Sequence, residues 1–176
     1  KICKAEFVRR SMSHKTCSIE CAMEYVCQLR EKNERKMIKA RKLAIKPRSK
    51  WLKEAQAAFN AYIRCRDRNK LCICCQQPLT QGETALTGDG YDCGHYRSTG
   101  SAPHLRFDER NAHAQRKQCN RWGAGRAVDY RIGLVARIGL DAVEDLESDN
   151  EARKYTVQEL AAIKAEYRAK LKALTS

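Results

Sequence analysis

Between Cys72 and Asn120 the chain gathers its chemistry into three short runs: Cys72-Ile73-Cys74-Cys75, Asp92-Cys93-Gly94-His95-Tyr96, and the stretch from Asn111 to Asn120. Cys72 and Cys75 form a CxxC pair, and Cys119 supplies a distant third thiol. This is a zinc framework, because two thiolates three residues apart can occupy two corners of a tetrahedron. Whatever else the chain does, it must return Cys119 to that turn. Gly82, Gly88, Gly90 and Gly94, with scattered Thr and Asp, predict turns and short strands in between rather than helix.

The charge narrows the partners. Among 176 residues, 35 Lys and Arg face 21 Asp and Glu, a net charge of +14. So basic a chain expects a polyanion, and nucleic acid first. No apolar run approaches the ~20 residues of a membrane span, and nothing resembles a secretion signal. Ten cysteines without an export signal, several clustered beside Lys and Arg, favour zinc thiolates over disulfides in a reducing compartment. Cys27 and Cys65 stand apart in helix-like runs and read as buried thiols. Cys3, Cys17 and Cys21 are expected to hold a second zinc. Their fourth ligand would fall just before Lys1, with His14 as the internal substitute. The chain opens on Lys rather than Met, which suggests a fragment or a processed product.

The pattern predicts an α+β, mostly helical fold in three parts: a zinc-knuckle segment 1–27, a basic helical linker 28–48, and a domain 49–176 with flanking helices. Residues 18–46 lack Gly and Pro and read as one long helix. Pro47 ends it, and Ser49 is placed to cap the next, which runs to Asp67. Trp51, Ala55, Phe59 and Ile63 give that helix an apolar face. Residues 129–147 read as helical, broken near Gly139, with Ile132, Val135, Ala136, Leu140, Val143 and Leu146 apolar. Thr156 and Glu159 make a capping box for a final helix facing inward through Leu160, Ile163, Tyr167 and Leu171.

Within the third part, His95 is the candidate general base, since a near-neutral imidazole suits proton transfer near pH 7. Asn111 can orient the base or the loop around it. Asn120 and Asp92 offer oxygen ligands for a hard ion such as Mg²⁺ or Mn²⁺. His113 shares a strand face with Asn111 and is a further metal ligand or phosphate contact. For the structural zinc, Cys72, Cys75 and Cys119 need a fourth partner. Cys93 is preferred because it can reach in from the first strand; Cys74 and His113 are the alternatives.

These spacings resemble the ββα-metal finger of HNH nucleases, in which two strands and a helix bring a base histidine and a metal onto one phosphate. Arg116 stands where cysteine-bearing members carry the first thiol of their second pair, so the chain departs from the pattern there. More broadly the chain resembles the NinG family of lambdoid-phage recombination proteins. The marks are Lys42-Leu43-Ala44-Ile45-Lys46-Pro47-Arg48-Ser49, Asp92-Cys93-Gly94-His95-Tyr96-Arg97, Leu105-Arg106-Phe107 with Asn111 and His113, Cys119-Asn120-Arg121, Tyr130-Arg131, Lys154-Tyr155-Thr156 and Lys164-Ala165-Glu166-Tyr167-Arg168. The resemblance implies a metal-dependent endonuclease cutting branched DNA, Holliday junctions and D-loops, in the cytoplasm of a bacterial host. A two-fold dimer would suit symmetric cutting. The competing expectations are a zinc-stabilised DNA-binding module without turnover and an HNH enzyme acting on RNA.

The basic helix yields its own expectation. Arg30, Lys32, Arg35, Lys36, Lys39, Arg41, Lys42 and Lys46 are opposed only by Glu31 and Glu34, so the helix is expected to lie along phosphates. Changing Lys36, Lys39 and Lys42 together to Gln should flatten the salt dependence of DNA binding by three contacts, each about 0.9 log units per log salt. Filter-binding titrations at several salt concentrations check this; wild-type affinity and slope would make the helix a solvated linker.

Overall fold

A computed structural model describes residues 2, 3, 6–9, 11–79 and 90–176. Gly82 and Gly88 lie outside the described residues. The chain divides into two compact units, Lys1–Pro47 and Arg48–Ser176.

The first unit is dominated by α1, Ile19–Ala44. Ser18 caps it, its hydroxyl accepting from the backbone N–H of Cys21 at 3.3 Å. Glu20 in the first turn and Arg41 and Lys42 in the last complement the helix dipole. α1 buries no residue, so its stability rests on caps, dipole and propensity. Cys27 is therefore exposed, contrary to the buried thiol expected from sequence.

The second unit is built on α2, Arg48–Arg66, and α5, Val157–Thr175, which pack against each other. α2 starts directly after Pro47, and Ser49 lies inside its first turn rather than at the cap. Ala55, Ala58, Phe59 and Ile63 form its buried face, with Trp51 only half-buried. α5 has the full capping box of Thr156 and Glu159. It buries Leu160 and Tyr167, and Ile163 packs against the same core.

Between the helices, β1 (Tyr91–His95) and β2 (Ala112–Arg116) form an antiparallel ribbon, pairing Tyr91 with Arg116, Cys93 with Ala114 and His95 with Ala112. Strand alternation gives the ribbon two distinct faces. Cys93 and Ala112 join the cluster of Phe59, Ile63, Phe107, Tyr155 and Tyr167. On the other side lies a second cluster of Cys72, Ile73, Leu105, Tyr130, Leu134, Val143 and Leu146. It comes from the cysteine turn and from α3 (Ala127–Ile138) and α4 (Leu140–Ser148). β2 runs into a single π-helical turn, Gln118–Trp122, rather than a regular finger helix. The fold is thus mostly helical with a small two-stranded sheet.

The inward face of α3 differs from the sequence expectation. Tyr130, Gly133 and Leu134 are buried, whereas Ile132 is 66% exposed. The reason is the cysteine turn. Tyr130 donates its hydroxyl to Gly94 O at 3.0 Å, and Gly133 lets the backbone of Ile73 come very close. A Cβ at Gly133 would lie 1.8 Å from Ile73 O. Gly133→Ala, which in an open helix would stabilise by about 1 kcal/mol, should here destabilise by about 1–3 kcal/mol through overpacking. Denaturant titration checks the sign, and an unchanged or raised midpoint would contradict the close approach.

Candidate functional site

Two thiol clusters stand out. In the first unit, Cys3, Cys17 and Cys21 bring their sulfurs together, at 3.1 Å for Cys3–Cys17 and 3.5 Å for Cys17–Cys21. Hydrogen bonding with Cys3 and Cys21 pushes the Cys17 thiol up to about 11. His14 packs its ring edge-on to Phe7, centroids 5.1 Å apart.

In the second unit, the sulfurs of Cys72, Cys75 and Cys119 all lie within 4.8 Å of one another. A tetrahedral ion with Zn–S bonds of about 2.3 Å needs donors this close, so both trios fit zinc. Cys72 is the anchor of the second. Its thiol is drawn down to about 4 by the hydrogen bond from Cys74 and by the backbone N–H groups of Arg116, Cys75 and Cys74, with burial opposing. Burial and hydrogen bonding push Cys119 up to about 12. Cys74 adjoins the trio through Cys72, and its sulfur accepts from Gln115 Nε2 at 2.8 Å.

The structure places Cys93 elsewhere. β1 alternation turns it to the α2 face, among apolar side chains, where burial raises its thiol to about 12. It does not join Cys72, Cys75 and Cys119; Cys74 lies beside Cys72 but outside the trio whose sulfurs are all within 4.8 Å of one another. Metal analysis of variants checks this. Cys72→Ser and Cys119→Ser should lose one zinc per chain, Cys74→Ser should weaken its retention, and Cys93→Ser should keep it. Zinc loss on Cys93→Ser alone would reverse the assignment.

The polar candidates fall into three places. His95 sits at the end of β1 on the α2 face, its ring 5.9 Å from that of Phe59. Its Nε2 meets Arg106 O at 3.1 Å. A carbonyl can only accept, so Nε2 carries the proton and Nδ1 keeps a lone pair. Burial lowers its pKa below the ordinary imidazole value, with the hydrogen bond to Arg106 O opposing.

Asn111 holds the loop that carries Arg106. Its Oδ1 accepts from Arg97 N at 2.8 Å, and its Nδ2 donates to Arg97 O at 3.0 Å and to Leu105 O at 3.1 Å. The Arg106 guanidinium is fixed by Gln56 Oε1 at 3.1 Å and Thr99 O at 2.9 Å.

Asp92 and Asn120 meet on the opposite face. Asn120 Nδ2 donates to Asp92 Oδ2 at 3.4 Å, but Arg121 grips the same carboxylate at 2.7 and 3.2 Å. The amide nitrogen and the guanidinium satisfy the carboxylate, so these donors do not converge on a hard cation as they stand.

His113 faces inward, 3% exposed, its ring 6.4 Å from Tyr130. Burial pulls its pKa down to about 3, and Arg66, Asp67, Arg137 and Lys70 are its charged neighbours. It meets neither the cysteines nor solvent, which removes it as a zinc ligand or a phosphate contact in this conformation.

Sequence reasoning missed Arg106, Gln115 and Asp67. The first acts through its main-chain carbonyl, which no residue type announces. Gln115 shares the His113 face of β2, a period-2 signal that was available. Asp67 is buried, receives Arg66, Lys70 and Ala114 N, and ties the end of α2 to β2.

Comparison with known proteins gives the wider setting. The sequence profile described as "Bacteriophage Lambda NinG protein" matches residues 1–176. The protein ninG of Salmonella phage P22 is 44% identical over 176 residues, covering 90% of this chain and 83% of the relative. The counterpart of Escherichia phage lambda is 43% identical, with 90% and 82% covered. That of Escherichia phage 933W is 50% identical over 137 residues, with 78% and 64% covered. No solved structure matches.

Proposed function

The chain belongs to the NinG family, and from that premise we propose that it is a phosphodiesterase of the HNH type, a structure-specific endonuclease acting on branched DNA such as Holliday junctions and D-loops. One observation supports this reading: the His95 ring is fixed through Nε2 by a single main-chain carbonyl. Its Nε2–H is committed to Arg106 O, which leaves Nδ1 to take a proton from water. Burial keeps the ring neutral, the form a general base needs. Asn111 acts one step back, fixing the loop from Arg97 to Leu105 and so the carbonyl that orients the ring. In this reading Arg106, whose charge acts on the imidazole, takes the phosphate. The zinc trio is structural: it pins the cysteine turn and the π-helical turn together behind the ribbon.

A second reading, a zinc-stabilised DNA-binding module without turnover, is favoured by Arg121 holding Asp92. No catalytic step is routed through a hard cation at Asp92 and Asn120 for the same reason.

Incubation with a synthetic four-way junction and with linear duplex, with and without Mg²⁺, separates the two. Junction cleavage supports the nuclease, and tight junction binding without cleavage supports the module. His95→Ala should cut about 10²–10⁴-fold more slowly while junction affinity persists. Because His95 is depressed, the active neutral form is lost only as pH falls through a value below about 6.5. The acid limb of the rate profile should therefore lie below that value; a limb above it would remove His95 as the base.

A further inference from the structure

Residues 116–126, Arg-Lys-Gln-Cys-Asn-Arg-Trp-Gly-Ala-Gly-Arg, contain four cations, one tryptophan and no acid. The tryptophan is out of place in a folded core. Trp122 is 62% exposed, and among the described residues its ring makes no aromatic or cation–π contact. It sits at the end of the π-helical turn, next to Arg121, which is anchored on Asp92.

The backbone after Trp122 is built to hold it there. Ala124, Gly125 and Arg126 all adopt left-handed φ, at 49°, 77° and 47°. For the two non-glycine residues this is a strained conformation that L side chains rarely adopt. The turn is closed by Gly123 N donating to Gln118 O at 2.9 Å and Arg126 N to Gly123 O at 3.0 Å. Arg126 folds its stem over Gly123, where a Cβ would meet Arg126 Cγ at 3.1 Å. So Trp122 lies in a tight loop, with Arg121 before it and Arg126 folded back over Gly123. Arg121 is spent on Asp92 and Arg126 is only loosely paired with Asp129 at 3.5 Å. Among the described residues, Arg116 and Lys117 make no ion pair.

The geometry points to Trp122 as a stacking platform for an unpaired nucleobase, with the flanking cations taking the adjacent phosphates. An exposed aromatic ring beside cations is the arrangement that binds single strands, since every base offers a π-face while the backbone needs neutralising. This rests on the nuclease reading for the substrate class, and it adds what would make that substrate branched. A regular duplex hides its bases in the stack, whereas a junction centre or a displaced strand presents unstacked ones. A second copy of this chain is the competing occupant. The like charge of the stretch argues against it, because two such surfaces repel.

Trp122 reports on itself. The other tryptophan, Trp51, is half-buried against the α2–α5 core, so Trp51→Phe leaves Trp122 as the single emitter. Titration of this protein with single-stranded oligonucleotide and with an uncut four-way junction should quench its fluorescence to saturation, and blunt duplex should quench it far less. Trp122→Ala should weaken single-strand affinity on the order of 10-fold and duplex affinity little, and Trp122→Phe should restore most of the loss. Unchanged emission at saturating single strand, or equal losses for single strand and duplex, would overturn the inference. So would a concentration-dependent blue shift in protein alone, which would assign the ring to self-association. Quenching without cleavage of any substrate would support the stacking role and remove the nuclease reading; cleavage without quenching would do the reverse.

Discussion

Two five-residue strands are not stable in water by themselves, and in the second unit the candidate site residues His95, Asp92, Asn111 and His113 lie on or beside such a ribbon. It stands because both of its faces are covered. On one side α2 and α5 close over Cys93, Ala112 and Phe107; on the other the cysteine turn, α3 and α4 close over Ile73, Leu105 and Tyr130. Asp67 joins the two sides electrostatically. Burial alone would raise its pKa, but Arg66, Lys70 and the amide of Ala114 hold it well below the usual carboxylate range. Removing one partner from such a buried cluster typically costs about 3–5 kcal/mol, because it strands the remaining charge.

That two-faced burial also separates the candidate residues. His95 and Asp92, three residues apart on β1, point to opposite sides. His95 shares its side with Phe59 and the loop that Asn111 ties down. Asp92 shares its side with Asn120 and Arg121, and the exposed Trp122 follows them in sequence. A substrate touching both sets must therefore cross the edge of the ribbon rather than lie on one face.

Much of this was legible in the sequence where a residue's role is local. The capping box at Thr156 and Glu159, the break at Gly139, the apolar face of α2 and the thiol trio of Cys72, Cys75 and Cys119 follow from spacing and side-chain type. NinG membership was legible too, because its marks run the length of the chain. What failed depends on long-range packing. The spacing places Cys93 with Cys72, Cys75 and Cys119, yet strand alternation turns it to the α2 face. The periodicity places Ile132 in the core, yet with Gly133 against Ile73 it is Tyr130 and Leu134 that point inward. The sequence offers His113 to metal or phosphate, whereas the fold buries it facing Tyr130.

The central claim is that one main-chain carbonyl fixes the His95 tautomer while burial favours the neutral ring, and its protonation can be read directly. Long-range ¹H–¹⁵N correlation spectra of the imidazole, followed through a pH titration, measure both tautomer and pKa. A ring protonated on Nε2, with its lone pair on Nδ1, titrating below about 6.5, is the expected result. A ring protonated on Nδ1 at neutral pH, or one that titrates above that value, would contradict it.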